Sequence, residues 1–387
     1  MRSVNFLADN EVRLLYCGTD YFPALIEAIE AAQYEVYFET YIFAGDETGQ
    51  RVLGTLIAAA TRGVQVRMIT DWFGTGNTQI KRMHAQLIAA GVEHRIFNPW
   101  FRRGVTRTHR KICVVDRDVA FVGGININDD MYCDYNHSVS LTAPRWDFAV
   151  AVRGPLVAAI QHEAVAQWRR LGKLGLLKRF ELFRDLRKVS KIDAQNMVQA
   201  GFVVRDNLRN RRTIQRAYLQ ALGRARKSVL LANPYFAPGR KFRRALAAAA
   251  ERGVEVVLLI GVGEFWMQDA VAHSFYPKLL AAGVKVVEYH KTQLHAKVAV
   301  IDDDWATVGS SNVDGLSLFL NQEANVVIKD AAFARSLRRH IETAIADGIV
   351  VQLEDFEHVG HVRRIGYEIA FVCYKILMRI FAVGKYA

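Results

Sequence analysis

Two segments of the chain carry the same chemically capable side chains at the same spacing. Each segment reads His-x-Lys, four further residues and Asp, and continues to a pair of small residues followed by Asn. The first copy contains His109, Lys111, Asp116 and Asn126, and the second contains His295, Lys297, Asp302 and Asn312. Such an ordered set does not readily occur twice in one chain by chance. We therefore treat both copies as parts of one functional site.

The residue types indicate chemistry at phosphorus. Lysine and asparagine donate hydrogen bonds, and lysine adds positive charge, which suits the non-bridging oxygens of a phosphate. One histidine of a pair can attack phosphorus and form a phosphohistidine, while the other protonates the leaving alkoxide and then deprotonates the incoming hydroxyl. Because the lysines neutralise the phosphate charge and the motifs lack metal-ligand spacing, the sequence predicts no metal and no cofactor. Two satisfied core histidines would explain either motif alone, but not the repeated set.

Each motif is predicted to form a β-hairpin. His109 and Lys111 stand two apart in a run continued by Ile, Cys and Val, so they are expected on one face of a strand whose other face is apolar. Asp116 and Asp302 interrupt the two runs at turn positions. Although both aspartates complete the motif, their carboxylates are expected to fix backbone geometry rather than to do chemistry.

A further strand after each motif carries one acidic residue, Asp147 in the first half and Glu323 in the second. A carboxylate in an otherwise apolar strand needs a partner, and an imidazole N–H is a natural one. We therefore predict that each acid orients a motif histidine. The alternative is an acid at a strand end that faces water.

The motifs lie in a chain whose two halves repeat each other. Thr61–Ile69 matches Glu251–Leu259, and Glu39–Phe43 falls opposite Asn233–Ala237. Strand-like and helix-like segments alternate in both halves, which is typical of α/β domains. The predicted fold class is α/β. We expect two homologous halves, each a mixed β-sheet flanked by helices, packed about a pseudo-twofold axis with one shared active site.

The predicted domains are residues 1–165 and 196–350, each with one motif, joined by a basic segment at 166–195 and followed by a tail at 351–387. Within the basic segment, Arg169–Lys191 combines many Lys and Arg residues with interleaved apolar ones. It is either an amphipathic segment that lies on anionic lipid or an ordinary solvated helix and linker.

The tail contains a strongly apolar stretch, Ile365–Val383, in which Glu368, Lys375 and Arg379 fall on one helical stripe. This pattern favours an amphipathic helix in the membrane interface over a helix of the protein core. Charges at Lys375 and Arg379 argue against a membrane span. No other run in the chain approaches the roughly 18 uninterrupted apolar residues that a spanning helix needs.

Composition limits the partners and the compartment. A net charge of +12 over 387 residues implies an anionic partner, and nucleic acid, an anionic membrane surface and phosphorylated small molecules all fit. The 4 cysteines include no C-x-x-C pair, and Cys113 lies in a core-like strand, which favours reduced thiols over disulfides or a zinc site. Met1–Asn10 shows no targeting signal, so a cytoplasmic chain attached to the membrane is expected.

These motifs resemble those of the phospholipase D superfamily. The wider pattern is similar to bacterial cardiolipin synthases, and most of all to their shorter B type, which lacks N-terminal transmembrane helices. The resemblance rests on Phe38–Phe43, on His109–Lys111 and above all on Val308–Asn325. It covers about residues 10–350.

The resemblance implies a role for each motif residue. His109 corresponds to the nucleophile and His295 to the acid/base, although the pseudo-symmetry makes the two roles nearly interchangeable. The other implied members are the catalytic motif residues Lys111, Asp116, Lys297 and Asp302, the phosphate-binding Asn126 and Asn312, and the histidine-orienting Asp147 and Glu323. Gly124 stands where the wider superfamily usually has Ser, which removes one hydroxyl but keeps the tight turn.

The resemblance also implies transphosphatidylation. One phosphatidylglycerol would give its phosphatidyl group to His109 and release glycerol, and the primary hydroxyl of a second would then form cardiolipin. Phosphatidylglycerol is thus the expected substrate and an anionic membrane surface the expected partner of a peripheral protein at the bacterial inner membrane. The sequence predicts no oligomeric state.

Other functions stay open at this level. A phospholipase D hydrolase would use the same residues with water as acceptor, and a transphosphatidylase could use another alcohol. A phosphodiesterase acting on nucleic acid fits the fold and the charge, but the apolar and basic C-terminus favours lipid, so no nucleic-acid partner is expected. Two intact motifs count against a non-enzymatic membrane scaffold.

Overall fold

The computed structural model describes residues 4–134, 138–172, 197–207, 209–357 and 361–381. From position 173 onward, the basic segment predicted at 166–195 lies outside the described residues.

The strands form two series. In the first half they are β1 (Leu7–Tyr16), β2 (Glu35–Thr40), β3 (Gln65–Asp71), β4 (Glu93–Phe97), β5 (Arg102–Val105), β6 (Ile112–Val115), β7 (Val119–Gly123) and β8 (Phe148–Arg153). In the second half they are β9 (Val198–Arg205), β10 (Ser228–Asn233), β11 (Glu255–Gly261), β12 (Lys285–Tyr289), β13 (Val298–Ile301), β14 (Trp305–Gly309), β15 (Glu323–Lys329) and β16 (Ile349–Val351).

Helices connect and flank these strands. Those of the first half are α1 (Cys17–Glu30), α2 (Glu47–Thr61), α3 (Trp72–Thr75), α4 (Asn77–Ala89) and α5 (Pro155–Leu171). Those that follow are α6 (Thr213–Arg224), α7 (Arg240–Glu251), α8 (Trp266–His273), α9 (Tyr276–Ala281), α10 (Gly315–Phe319), α11 (Ala331–Ala346), α12 (Glu354–Glu357) and α13 (His361–Phe381). Aspartate caps begin several of them: Asp46 accepts a hydrogen bond from Gly49 N, and Asp330 accepts one from Phe333 N.

One sheet runs through the described part of the chain, and its strand order shows the repeat. The order is β16-β12-β11-β10-β13-β14-β15-β9-β1-β8-β7-β6-β2-β3-β4. Read outward from its centre, the series β1-β8-β7-β6-β2-β3-β4 corresponds strand by strand to β9-β15-β14-β13-β10-β11-β12. Both series mix parallel and antiparallel pairs, with β2–β3 and β10–β11 parallel. The predicted α/β class with two homologous halves is confirmed.

The halves join along equivalent strands. β1 and β9 pair antiparallel, with Leu7 opposite Ala200 and a break in register before Asn10. The inner faces of both half-sheets also share one core, which includes Phe148 of the first half and Val326 of the second. Antiparallel pairing of two equivalent strands is the relation that a pseudo-twofold axis between them imposes.

Both motifs form the predicted hairpins, β6–β7 and β13–β14. However, the strands begin at Ile112 and Val298, so the histidine and lysine of each motif precede the strand rather than lie in it. The prediction of an apolar opposite face is also wrong in the first motif. Arg110 points to that side and is fully buried, because Glu39 and Glu163 pair with its guanidinium.

One alignment between the halves is wrong by a residue. Glu39 lies opposite Ile112 and Ala232 lies opposite Val298, and these two partners each follow a motif lysine directly. Glu39 therefore corresponds to Ala232 and not to Asn233. The aromatic residues of the two segments can be matched in more than one register, whereas strand pairing fixes a single one. Consequently the buried acid Glu39 has no acidic counterpart in the second half.

Candidate active site

The two motif histidines meet where the halves join. The backbone N–H of His109 donates to the carbonyl oxygen of Gln322 at 2.9 Å, and that of His295 donates to the carbonyl oxygen of Trp146 at 3.0 Å. Each acceptor directly precedes the acidic residue of the opposite half, Glu323 or Asp147. These crossed backbone bonds set each histidine beside an acid that the other half supplies.

His109 is held through its Nδ1 atom. This nitrogen lies 3.1 Å from Glu323 Oε2 and 3.0 Å from the carbonyl oxygen of Ser310. A carbonyl oxygen can only accept a hydrogen bond, so Nδ1 carries the proton and the Nε2 lone pair is left for chemistry. The Ser310 hydroxyl donates to the same Glu323 oxygen at 2.5 Å and so fixes the carboxylate in turn.

His295 has a carboxylate near each ring nitrogen. Its Nδ1 lies 2.6 Å from Asp147 Oδ2, and its Nε2 lies 3.6 Å from Asp134 Oδ2. The second distance is too long for a direct hydrogen bond but short enough for a strong charge interaction. Asp134 thus raises the pKa of His295, but burial and the charge of Lys297 outweigh it and hold that pKa well below its ordinary value.

Both orienting acids are buried. Asp147 is 2% exposed and Glu323 is 0% exposed. The alternative that these acids face water at a strand end is therefore wrong. Burial raises the pKa of Asp147 to about 6, although the nearby charge of Lys297 opposes the rise. Burial also lowers the pKa of His109 and of His295, so both imidazoles are neutral at neutral pH.

The two lysines lie in the same buried site. Burial and the charge of Lys297 lower the pKa of Lys111 to about 7, and burial lowers that of Lys297 to about 8. Each ammonium donates to the backbone oxygen of the histidine in its own motif, His109 or His295. Two ammonium groups that are buried and repel each other are stabilised by an anion between them, which is what a phosphodiester provides.

Two asparagines keep unused hydrogen-bonding capacity at the site. Asn126 and Asn312 are 1% and 6% exposed, yet the Oδ1 atom of each has no hydrogen-bond partner among the described residues. Most buried amides are fully paired. The unpaired atom of each amide is an acceptor, so it suits a donor such as a hydroxyl, while the amide nitrogen is the atom that would donate to a phosphate oxygen.

Both halves of the chain match one known protein family. A family model for the phospholipase D-like domain of cardiolipin synthase matches residues 25–152 and again residues 218–345. The chain belongs to the cardiolipin synthase family. Cardiolipin synthase B of Escherichia coli is 38% identical over 344 residues, which cover 87% of this chain and 81% of that protein. A cardiolipin synthase of Clostridium perfringens is 30% identical over 372 residues, which cover 93% of this chain and 75% of that protein.

Solved structures share the fold at low sequence identity. A phosphatidylserine synthase of Haemophilus influenzae superposes with a TM-score of 0.70 at 15% identity, over 98% of this chain and 97% of that one. A polyphosphate kinase of Porphyromonas gingivalis superposes with a TM-score of 0.55 at 14% identity, over 95% of this chain and 55% of that one. Both likenesses concern the fold alone.

In this member of the cardiolipin synthase family, the motif aspartates lie apart from the histidines. The Asp116 carboxylate accepts hydrogen bonds from the backbone N–H groups of residues 33–35, at 2.7 and 2.8 Å. The Asp302 carboxylate accepts hydrogen bonds from the backbone N–H groups of residues 226–228, at 2.7 to 3.1 Å. Each carboxylate thus ties the hairpin turn to the start of the neighbouring strand. We infer that both act through the fold, as their turn positions predict, and not in the catalytic step.

The stability of an Asp302→Ala variant tests this inference. The change leaves the N–H groups of three residues without their carboxylate, so we expect a loss of about 2–4 kcal/mol in the free energy of unfolding. The activity per folded molecule should stay within about threefold of the wild type. Chemical denaturation and a rate assay at low temperature measure the two quantities.

Asp303→Ala is the matched control, because Asp303 is exposed in the same turn and pairs at the surface with Lys227. Such a pair contributes little, so its loss should barely change stability. A large fall in the rate of fully folded Asp302→Ala protein would show that the aspartate takes part in the chemistry.

Sequence reasoning missed several residues of the site. Tyr41 lies edge-on to His109 with ring centroids 4.8 Å apart, and Lys111 Nζ lies 5.2 Å from the Tyr41 ring centre. Arg145 is buried and donates to Asp134, Asn128 and Gln293. An arginine two residues before a buried acid was a usable signal for Arg145. Nothing in the local sequence marks Asp134, whose position depends on the loop between β7 and β8.

Proposed function

We propose that this chain is a cardiolipin synthase. It transfers the phosphatidyl group of one phosphatidylglycerol to a hydroxyl of a second, through a phosphohistidine, and releases glycerol. The crossed arrangement of His109 with Glu323 and His295 with Asp147, in a chain 38% identical to a cardiolipin synthase over most of its length, carries this proposal. The reaction needs only the side chains named here and requires no metal ion.

In the first step, His109 Nε2 attacks phosphorus and the bond from phosphorus to the glycerol oxygen breaks. His295 gives its Nε2 proton to that oxygen, so that glycerol leaves as an alcohol. Burial is the main cause of the low pKa of His295, and the charge of Lys297 lowers it further. The negative charge of the bound phosphodiester opposes both effects and favours the protonated imidazole. Lys111, Lys297, Asn126 and Asn312 hold the non-bridging oxygens.

In the second step, neutral His295 takes the proton from a hydroxyl of the second phosphatidylglycerol. The hydroxyl oxygen attacks phosphorus, the bond from phosphorus to His109 breaks, and cardiolipin forms. Glu323 stabilises the positive charge on the His109 ring while the phosphatidyl group is attached. Asp147 and Asp134 do the same for His295 when it holds the proton.

Product analysis tests the proposal. Purified protein incubated with phosphatidylglycerol vesicles and a metal chelator should yield equal amounts of cardiolipin and glycerol, measured by mass spectrometry. Phosphatidic acid without cardiolipin would show a hydrolase and contradict the synthase assignment. Full loss of activity with the chelator, restored by a divalent ion, would contradict the metal-free mechanism.

We also propose the predicted division of the chain. The two matched segments fall within the halves 1–165 and 196–350, and α5 ends at Leu171, near the start of the basic segment 166–195. The tail 351–387 contains α13, which packs on the second half where Tyr367 meets His273 and Phe371 meets Phe275.

We further propose that the protein lies on the membrane as a peripheral protein of the bacterial inner membrane. Among the described residues, no helix is both long enough and apolar enough to span a bilayer. An aromatic cluster, which we call the first lip, comprises the half-buried Trp72 and the exposed Phe73, Trp100 and Phe101, with rings in contact. Trp100 is 66% exposed. Such a cluster, with an arginine beside it, suits the interface of an anionic bilayer.

The loop that exposes Trp100 and Phe101 has a strained backbone conformation. Trp100 and Phe101 both have left-handed φ values, 54° and 55°. Such a conformation costs about 1 kcal/mol or more for each residue with a side chain. Asn98, also left-handed, holds the loop by donating to the carbonyl oxygens of Gly104 and Thr106. A strained loop that exposes two aromatic rings indicates a surface with a binding role.

The first lip stands beside the active site. The Arg107 guanidinium lies 3.8 Å from the centre of the Phe73 ring, and its charge interacts with the Tyr41 hydroxyl. Tyr41 in turn contacts His109. Lipid at the first lip is therefore three side-chain contacts from the catalytic histidine.

The second half also exposes apolar side chains, on α8 and α13. Trp266, which is 78% exposed, and Met267 begin α8, which follows β11. β11 is the equivalent of β3, and the first lip begins directly after β3. On α13, Ile369, Val372 and Ile376 form an exposed apolar stripe. The tail is thus a helix with one face on the protein and an apolar face outward, which supports the interfacial interpretation. The polar stripe was predicted to carry Glu368, Lys375 and Arg379. The side chain of Arg379 lies outside the described part of the structure.

Loss of two exposed tryptophans should weaken membrane binding. Trp100→Ser combined with Trp266→Ser removes about 1–2 kcal/mol of apolar transfer free energy per side chain, so affinity for phosphatidylglycerol vesicles should fall roughly tenfold or more. Vesicle flotation measures it. Tyr34→Ser is the matched control, since Tyr34 is equally exposed but precedes β2 at the opposite end of the strands. Unchanged binding of the double variant would contradict the proposed orientation.

A further inference from the structure

The two sides of the active site differ although the halves are homologous. The residue two positions before the motif histidine is Arg107 in the first half and Gln293 in the second. Arg107 is a cation stacked on aromatic rings of the first lip. Gln293 is a buried neutral amide in a group of acids and hydroxyls. The His109 side therefore suits the phosphate and apolar part of a lipid, and the His295 side suits a different group.

A polar cluster lines the His295 side. The Tyr235 hydroxyl donates to Glu264 Oε2 at 2.9 Å. Gln293 Oε1 accepts from Arg145 Nε at 3.0 Å and from the backbone N–H of Asp134 at 3.1 Å. Glu264 also interacts electrostatically with Asp134 and Lys297, which places it within the active site. The cluster is thus held by Arg145 at one end, and Glu264 interacts with the charge of Lys297 at the other.

Two buried atoms of this cluster lack hydrogen-bond partners among the described residues, and they complement each other. Asp134 Oδ2 is an unpaired acceptor, and Gln293 Nε2 is an unpaired donor that approaches Glu264 without forming a bond of normal geometry. Asp134 Oδ2 lies 3.6 Å from His295 Nε2. A hydroxyl group both donates and accepts, so it satisfies an orphan acceptor and an orphan donor together.

The Glu264 carboxyl group can either donate or accept a hydrogen bond. Burial raises its pKa to about 7, against the lowering effect of Gln293 and Tyr235. At neutral pH its carboxyl group is therefore present both as a donor and as an acceptor. A polyol with neighbouring hydroxyls can use Glu264 with one hydroxyl while another lies between Asp134 and His295.

We propose that Tyr235, Glu264, Gln293 and Asp134 form an alcohol subsite that binds glycerol hydroxyls, with Glu264 as the residue that selects a polyol over water or a monohydric alcohol. The proposal rests on the proposed function, since it assigns the place of the leaving and the attacking alcohol. In a displacement at phosphorus, the nucleophile and the leaving oxygen lie on opposite sides. An alcohol held beside His295 makes that residue the acid/base and leaves His109 as the nucleophile.

Competition between two acceptors tests the subsite. The whole protein is given phosphatidyl-p-nitrophenol, whose leaving group needs neither a proton nor a polyol site, together with equal concentrations of glycerol and 1-propanol. Release of p-nitrophenolate reports the first step, and mass spectrometry gives the ratio of phosphatidylglycerol to phosphatidylpropanol. The variants are Glu264→Ala, Glu264→Gln and Tyr235→Phe. Glu251→Gln, an exposed acid at the end of α7, is the control.

The wild type and the control should favour glycerol. We expect Glu264→Ala to lower the glycerol to propanol ratio about tenfold or more. Tyr235→Phe and Glu264→Gln should shift the ratio in the same direction by smaller factors. Both acceptors compete for one phosphatidyl-enzyme, so the ratio does not depend on the rate of the first step, and p-nitrophenolate release should stay within about threefold of the wild type in the Glu251→Gln control. An unchanged ratio, or equal losses with both acceptors, would overturn the subsite and leave the synthase assignment standing. Transfer to water alone by the wild type would overturn both.

Discussion

Replacement of His109 by alanine is expected to lower cardiolipin formation by at least about 10⁴-fold, because no other group can take the phosphatidyl group from its donor. Replacement of His295 should cost a similar factor with phosphatidylglycerol, whose alkoxide must be protonated to leave. Mass spectrometry of the lipid products measures both losses. Circular dichroism should show that both variants remain folded.

A donor with a good leaving group separates the two roles. With phosphatidyl-p-nitrophenol, the His295→Ala variant should release one equivalent of p-nitrophenolate and then stop, since the leaving group needs no proton but the incoming alcohol still needs a base. The phosphatidyl group should then be found on the peptide that contains His109. His109→Ala should release none. A label on the peptide that contains His295 instead would reverse the assignment of the two roles.

Neutralising the orienting acids should cause the second largest loss. Asp147→Asn and Glu323→Gln keep the side-chain size but remove the negative charge that stabilises each imidazolium and fixes its tautomer. We expect rates about 10² to 10³-fold lower, with substrate binding changed much less. Steady-state kinetics on phosphatidylglycerol, separated into kcat and KM, measures this effect. Glu93→Gln is the control, because Glu93 is a half-exposed acid at the far edge of the first half-sheet.

The same variants test the crossed arrangement of the halves. Since Glu323 holds His109 and Asp147 holds His295, the variant Glu323→Gln should add little to the loss caused by His109→Ala. The two losses should instead multiply if the acid and the histidine act separately. Purely multiplicative effects for both crossed pairs would contradict the site geometry described above.

Much of the fold could be predicted because its signals are local or repeated. Alternation of strands and helices, the Val-rich hairpin strands and the duplicated motif are all visible along the chain. The motif residues also indicated phosphorus chemistry, because histidine, lysine and asparagine have few other uses in such a pattern. The family comparisons support the function suggested by the same residues.

Other features depended on strand pairing, which sequence shows poorly. The alignment of Glu39 was wrong because similar aromatic residues can be matched in two registers, and only hydrogen bonding to the hairpin selects one. The histidine and lysine were expected inside the strand. The strand starts later because the backbone N–H of each histidine bonds instead to the opposite half, and contacts between halves leave no periodic trace in either segment.

The duplicated α/β architecture, the candidate residues and the class of reaction all follow from residue type and spacing along the chain. The packed halves were needed to show which acid serves which histidine, that Asp116 and Asp302 bind backbone, and that Asp134 reaches His295. The tertiary structure also made the two sides of a pseudo-symmetric site different. The physical reason is that hydrogen bonds, burial and electrostatic interactions depend on distances between residues far apart in the chain, and these distances exist only after the halves have packed together.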